Sequence, residues 1–415
     1  MSTETQKYDY SFGTEKKHVE APLNSFQAIV LAAVVVLIAV TAFLLGILFE
    51  RRTSPANSDE LATFWQAWDI IERDFYGNIP NEDERKYGAI KGLVASLNDP
   101  FTAFAPPEVA EVNRQQLDGH FGGIGVQIEV NDQGEVFVDY VFPGNPAEAA
   151  GIQVGDIFVE VDGQPARYVG TDRLAEMVRG EIGTEVKLTM YRPADDETYE
   201  VSVRRTIIEM PTVFSDNLDG IGYVSVTSFN AVATSQLEDN IKSLLDQDIK
   251  ALILDLRGNG GGLLDQAVSV ADLFLDEGVV LTQKGTDGDK VFESADGQLA
   301  ESIPLVVLVD GGTASASEVV AGALQDRGRA VLVGQQTFGK GVVQLVYNLT
   351  DGSQLRVTSA AWYTPNGNAI HQKGLTPDIP MENLFDPEGT DLVEQAAIDY
   401  INEEYLGNTT NDGQE

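Results

Sequence analysis

Hydrophobic and polar positions divide the chain into stretches of different period. Phe26 to Phe49 contains no charged residue. As a helix it would be about 36 Å long, enough to cross a hydrocarbon core of roughly 30 Å. A cleaved signal peptide has a shorter apolar region, so the run reads as a retained transmembrane helix. Before it, residues 1–25 are polar and read as a disordered tail; residues 50–58 read as a linker. Leu61 to Phe75 places Phe64, Trp65, Trp68 and Ile71 at helical spacing. Tyr87 to Leu97 repeats that period up to Asn98-Asp-Pro, and Pro106-Pro107 opens a third helix. These make a helical region over 59–116.

From Gly122 the period falls to two. Gly123 to Val130 and Val136 to Val141 alternate as strands around an Asn131–Gly134 turn. Thr171 to Arg179 is amphipathic, and Glu185 to Tyr191 is a further strand. Gly123-Ile-Gly-Val126, the Pro146-Ala-Glu-Ala-Ala-Gly151 turn, and Gly155-Asp156 before Val161-Asp-Gly163 occur in order. The stretch 117–206 therefore resembles a PDZ domain. The resemblance implies capture of a substrate C-terminus by strand addition. Gly123, Ile124, Gly125 and Val126 would hold the carboxylate. Leu174 and Val178 would line a pocket for an apolar last side chain, or simply fill the core.

Beyond Ile221 strand and helix alternate: Ile221–Phe229, Ser235–Leu245, Ala251–Leu256, Leu263–Leu275 and Val279–Gln283, then strands at Val342–Leu349 and Leu355–Trp362. That pattern predicts an α/β domain over 207–387. A helix follows over 388–405, starting near Asp391, and a disordered tail over 406–415. The fold class is multidomain α/β.

Composition narrows the chemistry. In 415 residues, 43% are hydrophobic and the formal net charge is −38. Nothing supplies the basic stripe that nucleic acid requires. Without cysteine, thiol catalysis, disulfides and thiolate metal sites are excluded. The three histidines, His18, His120 and His371, have no metal-site spacing, and neither metal nor cofactor is expected.

Candidate chemistry gathers between Pro304 and Gln344. An apolar run to Asp310 ends in a small-residue turn, and Ser315-Ala-Ser317-Glu318 opens a helix. A serine hydroxyl needs a base. Lys340, between Gly339 and Gly341 and near Phe338, Val342 and Val343, could serve if burial lowers its pKa. His371 is the competing base. Ser315 and Ser317 compete as nucleophile, and either lies at a helix N-terminus that favours an anion. The Ala316 N–H is one oxyanion donor. Arg257-Gly-Asn-Gly-Gly-Gly262 supplies another, assigned to Gly261.

Four motifs complete the pattern: Thr313-Ala-Ser-Ala-Ser-Glu318, Thr337-Phe-Gly-Lys-Gly-Val-Val-Gln344, Asp255-Leu-Arg-Gly-Asn-Gly-Gly-Gly262 and Gly374-Leu-Thr-Pro-Asp378. With them, residues from about 60 to 400 resemble the carboxyl-terminal processing peptidases, or tail-specific proteases. That family has a Ser-Lys dyad, a PDZ domain and a crotonase/ClpP-like protease domain. Its nucleophile precedes the lysine by 25 positions, which selects Ser315. Its orienting glutamine matches Gln344. An extended strand would hold residues four apart at roughly 13 Å, so a Lys340–Gln344 bond requires a bend at Gly341.

The resemblance implies protein or peptide substrates with free apolar C-termini, and a single-pass membrane protein with its catalytic part extracytoplasmic. Lys7, Lys16 and Lys17 before the span and Arg51 and Arg52 after it leave orientation undecided by charge. Homo-oligomerisation through the helical regions is left open. The contrasting readings are a noncatalytic PDZ scaffold, a crotonase-like acyl-CoA enzyme and a peptidase using His371.

Overall fold

The computed structural model describes residues 61–407 except 287, 296 and 297. The N-terminal tail, the apolar span, the linker and residues 408–415 lie outside the described residues. Among the described residues no helix is long and apolar enough to cross a membrane. The chain divides into two compact units between Arg85 and Lys86. Helix α1 (Ala62–Asp74) belongs to the first, and α2 (Glu82–Ala95) spans the division. α1 buries no residue; Phe64, Trp65 and Trp68 pack on one another, with the Arg85 guanidinium over the Trp68 ring. α2 starts a turn before the apolar period does, because Glu82, Asp83 and Glu84 suit a helix N-terminus.

The second unit continues with β1 (Ala103–Ala105), α3 (Pro107–Asp118) and β2 (His120–Gly123). The strand expected across Gly123–Val130 is interrupted. Gly125 has φ +81°, and β3 (Val126–Val130) starts afresh beyond it. Next come β4 (Val136–Val141), the short α4 (Pro146–Ala149), β5 (Ile157–Val161), β6 (Gln164–Pro165), α5 (Thr171–Val178), β7 (Glu185–Arg192) and β8 (Glu197–Arg204). They form a sheet ordered β3-β4-β5-β7-β8, with β6 on β5. α5 closes its core with Leu174 and Val178 against Ile124, Phe158 and Leu188. β9 (Thr206–Glu209) leaves this body and pairs antiparallel with β2. β8 and β9 went unread in the sequence because their exposed, charge-rich faces dilute the apolar alternation.

The α/β body is built on a six-stranded sheet. Its strands are β10 (Val213–Leu218), β11 (Ile221–Val226), β12 (Ala251–Asp255), β15 (Leu305–Val309), β16 (Val331–Gly334) and β19 (Ile379–Pro380), in that spatial order. All neighbours but β10–β11 run parallel. A parallel sheet covered on both faces reads as continuous apolar runs. Leu252 and Leu254 face α6 (Ala233–Leu245), α7 (Leu264–Asp272) and α8 (Ala316–Asp326); Ala251 and Ile253 face α9 (Leu392–Ile401). A one-turn π segment, Asn402–Leu406, ends the described chain. A second sheet, β1-β18-β13-β14, comprises β1, β18 (Gln354–Tyr363), β13 (Gly278–Gly285) and β14 (Gly288–Ser294), with β17 (Val342–Asn348) also on β18. α8 is buried throughout Ala316–Leu324 and lies between the sheets' chemistry-bearing ends.

Candidate active site

Ser315 stands immediately before α8 with φ +57° and ψ −116°. A non-glycine residue held there is strained, and such strain gathers where surrounding contacts over-determine a reactive group. The contacts are explicit. Thr313 is fully buried and its hydroxyl donates to the Leu256 carbonyl. The Ala314 N–H and the Ser317 hydroxyl both donate to the Asn259 carbonyl, at 3.0 and 2.9 Å. Ser317 is thus a buried tie between α8 and the glycine-rich loop, whereas Ser315 faces the cavity. The choice between the two serines is a difference in surroundings that no sequence spacing states physically.

The lysine is held by the same helix. Glu318, fully buried, accepts at Oε1 from the Thr337 hydroxyl (2.6 Å) and the Gly339 N–H (2.8 Å). At Oε2 it accepts from the Ser315 N–H (2.9 Å) and the Lys340 N–H (2.8 Å). One carboxylate therefore fixes both backbone positions. In the sequence Glu318 shows only as one letter of the Thr313–Glu318 motif; its signal is a charged residue inside an otherwise small and apolar helix start. Gly341 is needed for a close approach: a Cβ there would lie 2.3 Å from the His371 nitrogen.

The Lys340 side chain is half-buried. Burial chiefly, and the Arg356 guanidinium next, hold its pKa below the ordinary lysine value, against the opposing pull of Glu318. Phe338 does not contribute as expected. It is 58% exposed and turned to solvent, because its N–H is bonded to Thr313 and the chain turns outward there. Phe101 takes that part instead, with the lysine Nζ 5.6 Å from its ring centroid. His371 packs its ring against Phe101 at 5.8 Å between centroids and does not line the cavity with Ser315.

Ser315, Ala316, Gly260–Gly262, Lys340, Gln344 and Arg356 line one cavity of about 420 Å³. The Ser315 hydroxyl and Lys340 Nζ make no hydrogen bond to each other. Gln344 does reach the cavity, helped by a bulge between Val343 and Gln344, but its Nε2 is buried without a partner and does not touch Lys340. The glycine-rich loop lies against the Ser315 turn. Gly261 presses on the nucleophile turn so closely that a Cβ would meet Ser315 Cβ and the Ala316 nitrogen at 2.8 Å. Its N–H, however, donates to Asn259 Oδ1 at 2.9 Å inside a local turn and does not point free into the cavity. The Ala316 N–H belongs to the first turn of α8, whose amides have no carbonyl within the helix. The loop's start is anchored by Arg257, which grips Asp255 and also reaches Asp391 at the cap of α9.

Comparison with known proteins sets this geometry in a family. The profile of peptidase family S41 matches residues 220–381, and that of the PDZ domain matches 114–190. The carboxy-terminal processing protease CtpA of Bacillus subtilis is 37% identical over 85% of this chain and 76% of its own length. The chain belongs to the carboxy-terminal processing peptidases of family S41. A Picosynechococcus carboxyl-terminal-processing protease is likewise 37% identical, over 85% of this chain and 88% of its own. A solved photosystem II D1 C-terminal processing protease is 32% identical over 78% of this chain and 89% of that chain, with a TM-score of 0.45. As an S41 member with a PDZ domain, the protein is a carboxy-terminal processing serine peptidase acting on protein substrates.

Gly123, Ile124, Gly125, Val126, Leu174 and Val178 line one cavity in the PDZ-matching region. Leu174 and Val178 are also buried in the PDZ core. The opposite wall, unread in the sequence, is Ile208 to Pro211, in and just after β9.

Proposed function

We propose that the chain is a membrane-anchored endopeptidase whose Ser315 attacks the scissile carbonyl with Lys340 as general base. Lys340 Nζ takes the hydroxyl proton as the Ser315 Oγ–carbon bond forms, then delivers it to the leaving amine as the peptide C–N bond breaks. Water repeats the sequence on the acyl-enzyme and regenerates Ser315. The carrying observation is the double tether of Ser315 and Lys340 to Glu318. The lowered pKa of Lys340 supports a neutral amine able to accept a proton. Ala316 N–H is one oxyanion donor. Gly261 N–H becomes the second when substrate displaces its bond to Asn259. Gln344, whose buried Nε2 makes no hydrogen bond in the structure, orients Lys340.

The PDZ groove takes the substrate's free apolar C-terminus, with Gly123–Val126 on the carboxylate and Leu174 and Val178 beneath the last side chain. Phe26–Phe49 anchors the chain, the catalytic part lies extracytoplasmic, and the helical regions support self-association. Residues 59–116 form the helical region, 117–206 the substrate-binding PDZ-like domain and 207–387 the protease domain.

The full chain is tested with one peptide ending in a free apolar residue and the same peptide amidated. Free-tail peptide is expected to be cut faster. Equal rates would end the tail-recognition reading. Ser315→Ala and Lys340→Ala should abolish cleavage while His371→Ala retains it; an active Lys340→Ala enzyme would remove the dyad.

A further inference from the structure

We propose that Phe101 is a positioning residue for Lys340: its ring closes the amine off from water and presents a π face to the ammonium that forms during turnover. This rests on the reading of Lys340 as base. Nζ stands 5.6 Å from the Phe101 centroid, within the range of a cation–ring contact. The ring is not a loose surface group. Asp99 Oδ1 accepts the Phe101 N–H at 3.1 Å, and Asp99 Oδ2 accepts from the Thr102 N–H and hydroxyl at 3.1 and 2.6 Å. The Thr102 hydroxyl in turn accepts the Thr358 N–H from β18 at 3.1 Å. At the next residue, β1 pairs with β18 through Ala103 and Arg356. The turn before β1 is thus stapled to the hairpin that follows Lys340. The His371 ring also packs against Phe101, at 5.8 Å between centroids in an edge arrangement.

The base has two opposed requirements. It must be neutral before attack and cationic just after. Dehydration favours the neutral form, by as much as several pK units for a fully buried amine. A ring face favours the cation by a smaller amount, on the order of 0.5–2 kcal/mol. A carboxylate in the same place would favour the cation too strongly and leave Lys340 protonated at rest. Phe101 supplies the larger effect together with the smaller one. The other charged or titratable groups around Lys340 are Arg356 on β18, which opposes protonation, and Glu318 on α8, which favours it. His371 faces Phe101 from the loop packed on Gly341, and Asp99 is spent on its own turn.

The test uses the full chain, with kcat/KM measured against pH and Lys340 observed by NMR in protein carrying ¹³C-labelled lysine. The Lys340 signal is assigned by its loss in Lys340→Arg. In Phe101→Ala the acidic limb of kcat/KM should move upward by about one pH unit as water reaches the amine. The Lys340 carbon titration should move with it, and kcat should fall with KM little changed. Phe101→Tyr, which keeps the ring, should leave the limb in place. If Phe101→Ala does not fold, Phe101→Leu is read instead and should shift the limb in the same direction by less. An unmoved Lys340 titration in a folded Phe101→Ala or Phe101→Leu protein overturns the inference. Cleavage by Lys340→Ala overturns the base assignment instead, and the NMR titration then still reports whether Phe101 governs the amine.

Discussion

The Ser315 and Lys340 backbone N–H groups donate to the same oxygen, Oε2 of Glu318, at 2.9 and 2.8 Å. The proposed nucleophile and base are thereby referenced to one buried atom. A shift of α8 moves both together, and their separation is preserved better than two independent loops would allow.

Glu318→Gln is the direct probe. An amide NH₂ in place of one carboxylate oxygen would face N–H donors. A misplacement of about 1 Å costs on the order of 10²-fold in rate, so kcat should fall by that order. The urea unfolding midpoint should also drop, since hydrogen bonds to a charged group contribute roughly 1.5–3 kcal/mol each. Wild-type kcat in Glu318→Gln would mean that the tether positions nothing.

Ser317→Ala separates scaffold from nucleophile. It removes a hydrogen bond to the Asn259 carbonyl, which keeps its bond from Ala314. The expected cost is about 1 kcal/mol of stability, with cleavage retained. Thermal unfolding and peptide turnover measured side by side check both halves.

Arg356→Gln should raise the acidic limit of activity. Removing the guanidinium removes a charge that opposes protonation of Lys340, so more alkaline conditions are needed for the neutral amine. The same shift has a stability sign. A lysine with a lowered folded pKa binds fewer protons folded than unfolded. Its contribution to stability therefore rises with pH between the lowered folded value and the ordinary unfolded one. A pH–rate profile and pH-dependent unfolding should agree in direction.

In the PDZ domain, burial pushes the Asp156 carboxyl up, but the two-pronged Arg192 contact and the Tyr199 hydroxyl outweigh it and hold its pKa below the ordinary value. A depressed carboxylate pKa stabilises above the unfolded pKa, and that stability is lost as pH falls through the folded one. Asp156→Asn should lower the unfolding temperature at pH 7 and flatten the acid-side loss. Differential scanning calorimetry from pH 7 to pH 3 measures it.

The parts legible in the sequence were those with an unambiguous period. Leu252 to Leu254 read as a buried strand because parallel neighbours cover both faces, and α5 read as amphipathic because Leu174 and Val178 face one core. β8 and β14, with one face in water, carried too few apolar positions to stand out. At the site, residue types announced Ser315 and Lys340, but contacts across distant segments did not announce themselves. Phe338 was an expected neighbour by adjacency, yet it faces solvent while Phe101 reaches Lys340 from a different part of the chain. Gly261 lies against the Ser315 turn, and a side chain two residues away holds its N–H, a contact its glycine-rich motif does not display.

The left-handed backbone of Ser315 sets stability against activity at one position. An alanine there removes the hydroxyl and keeps the strain; a glycine removes both. Ser315→Gly should therefore unfold at a higher temperature than Ser315→Ala, although both are inactive, and the ordering would invert at a position with an ordinary negative φ. Under the proposed mechanism, the hydroxyl needed for cleavage sits at a position where folding alone would favour glycine.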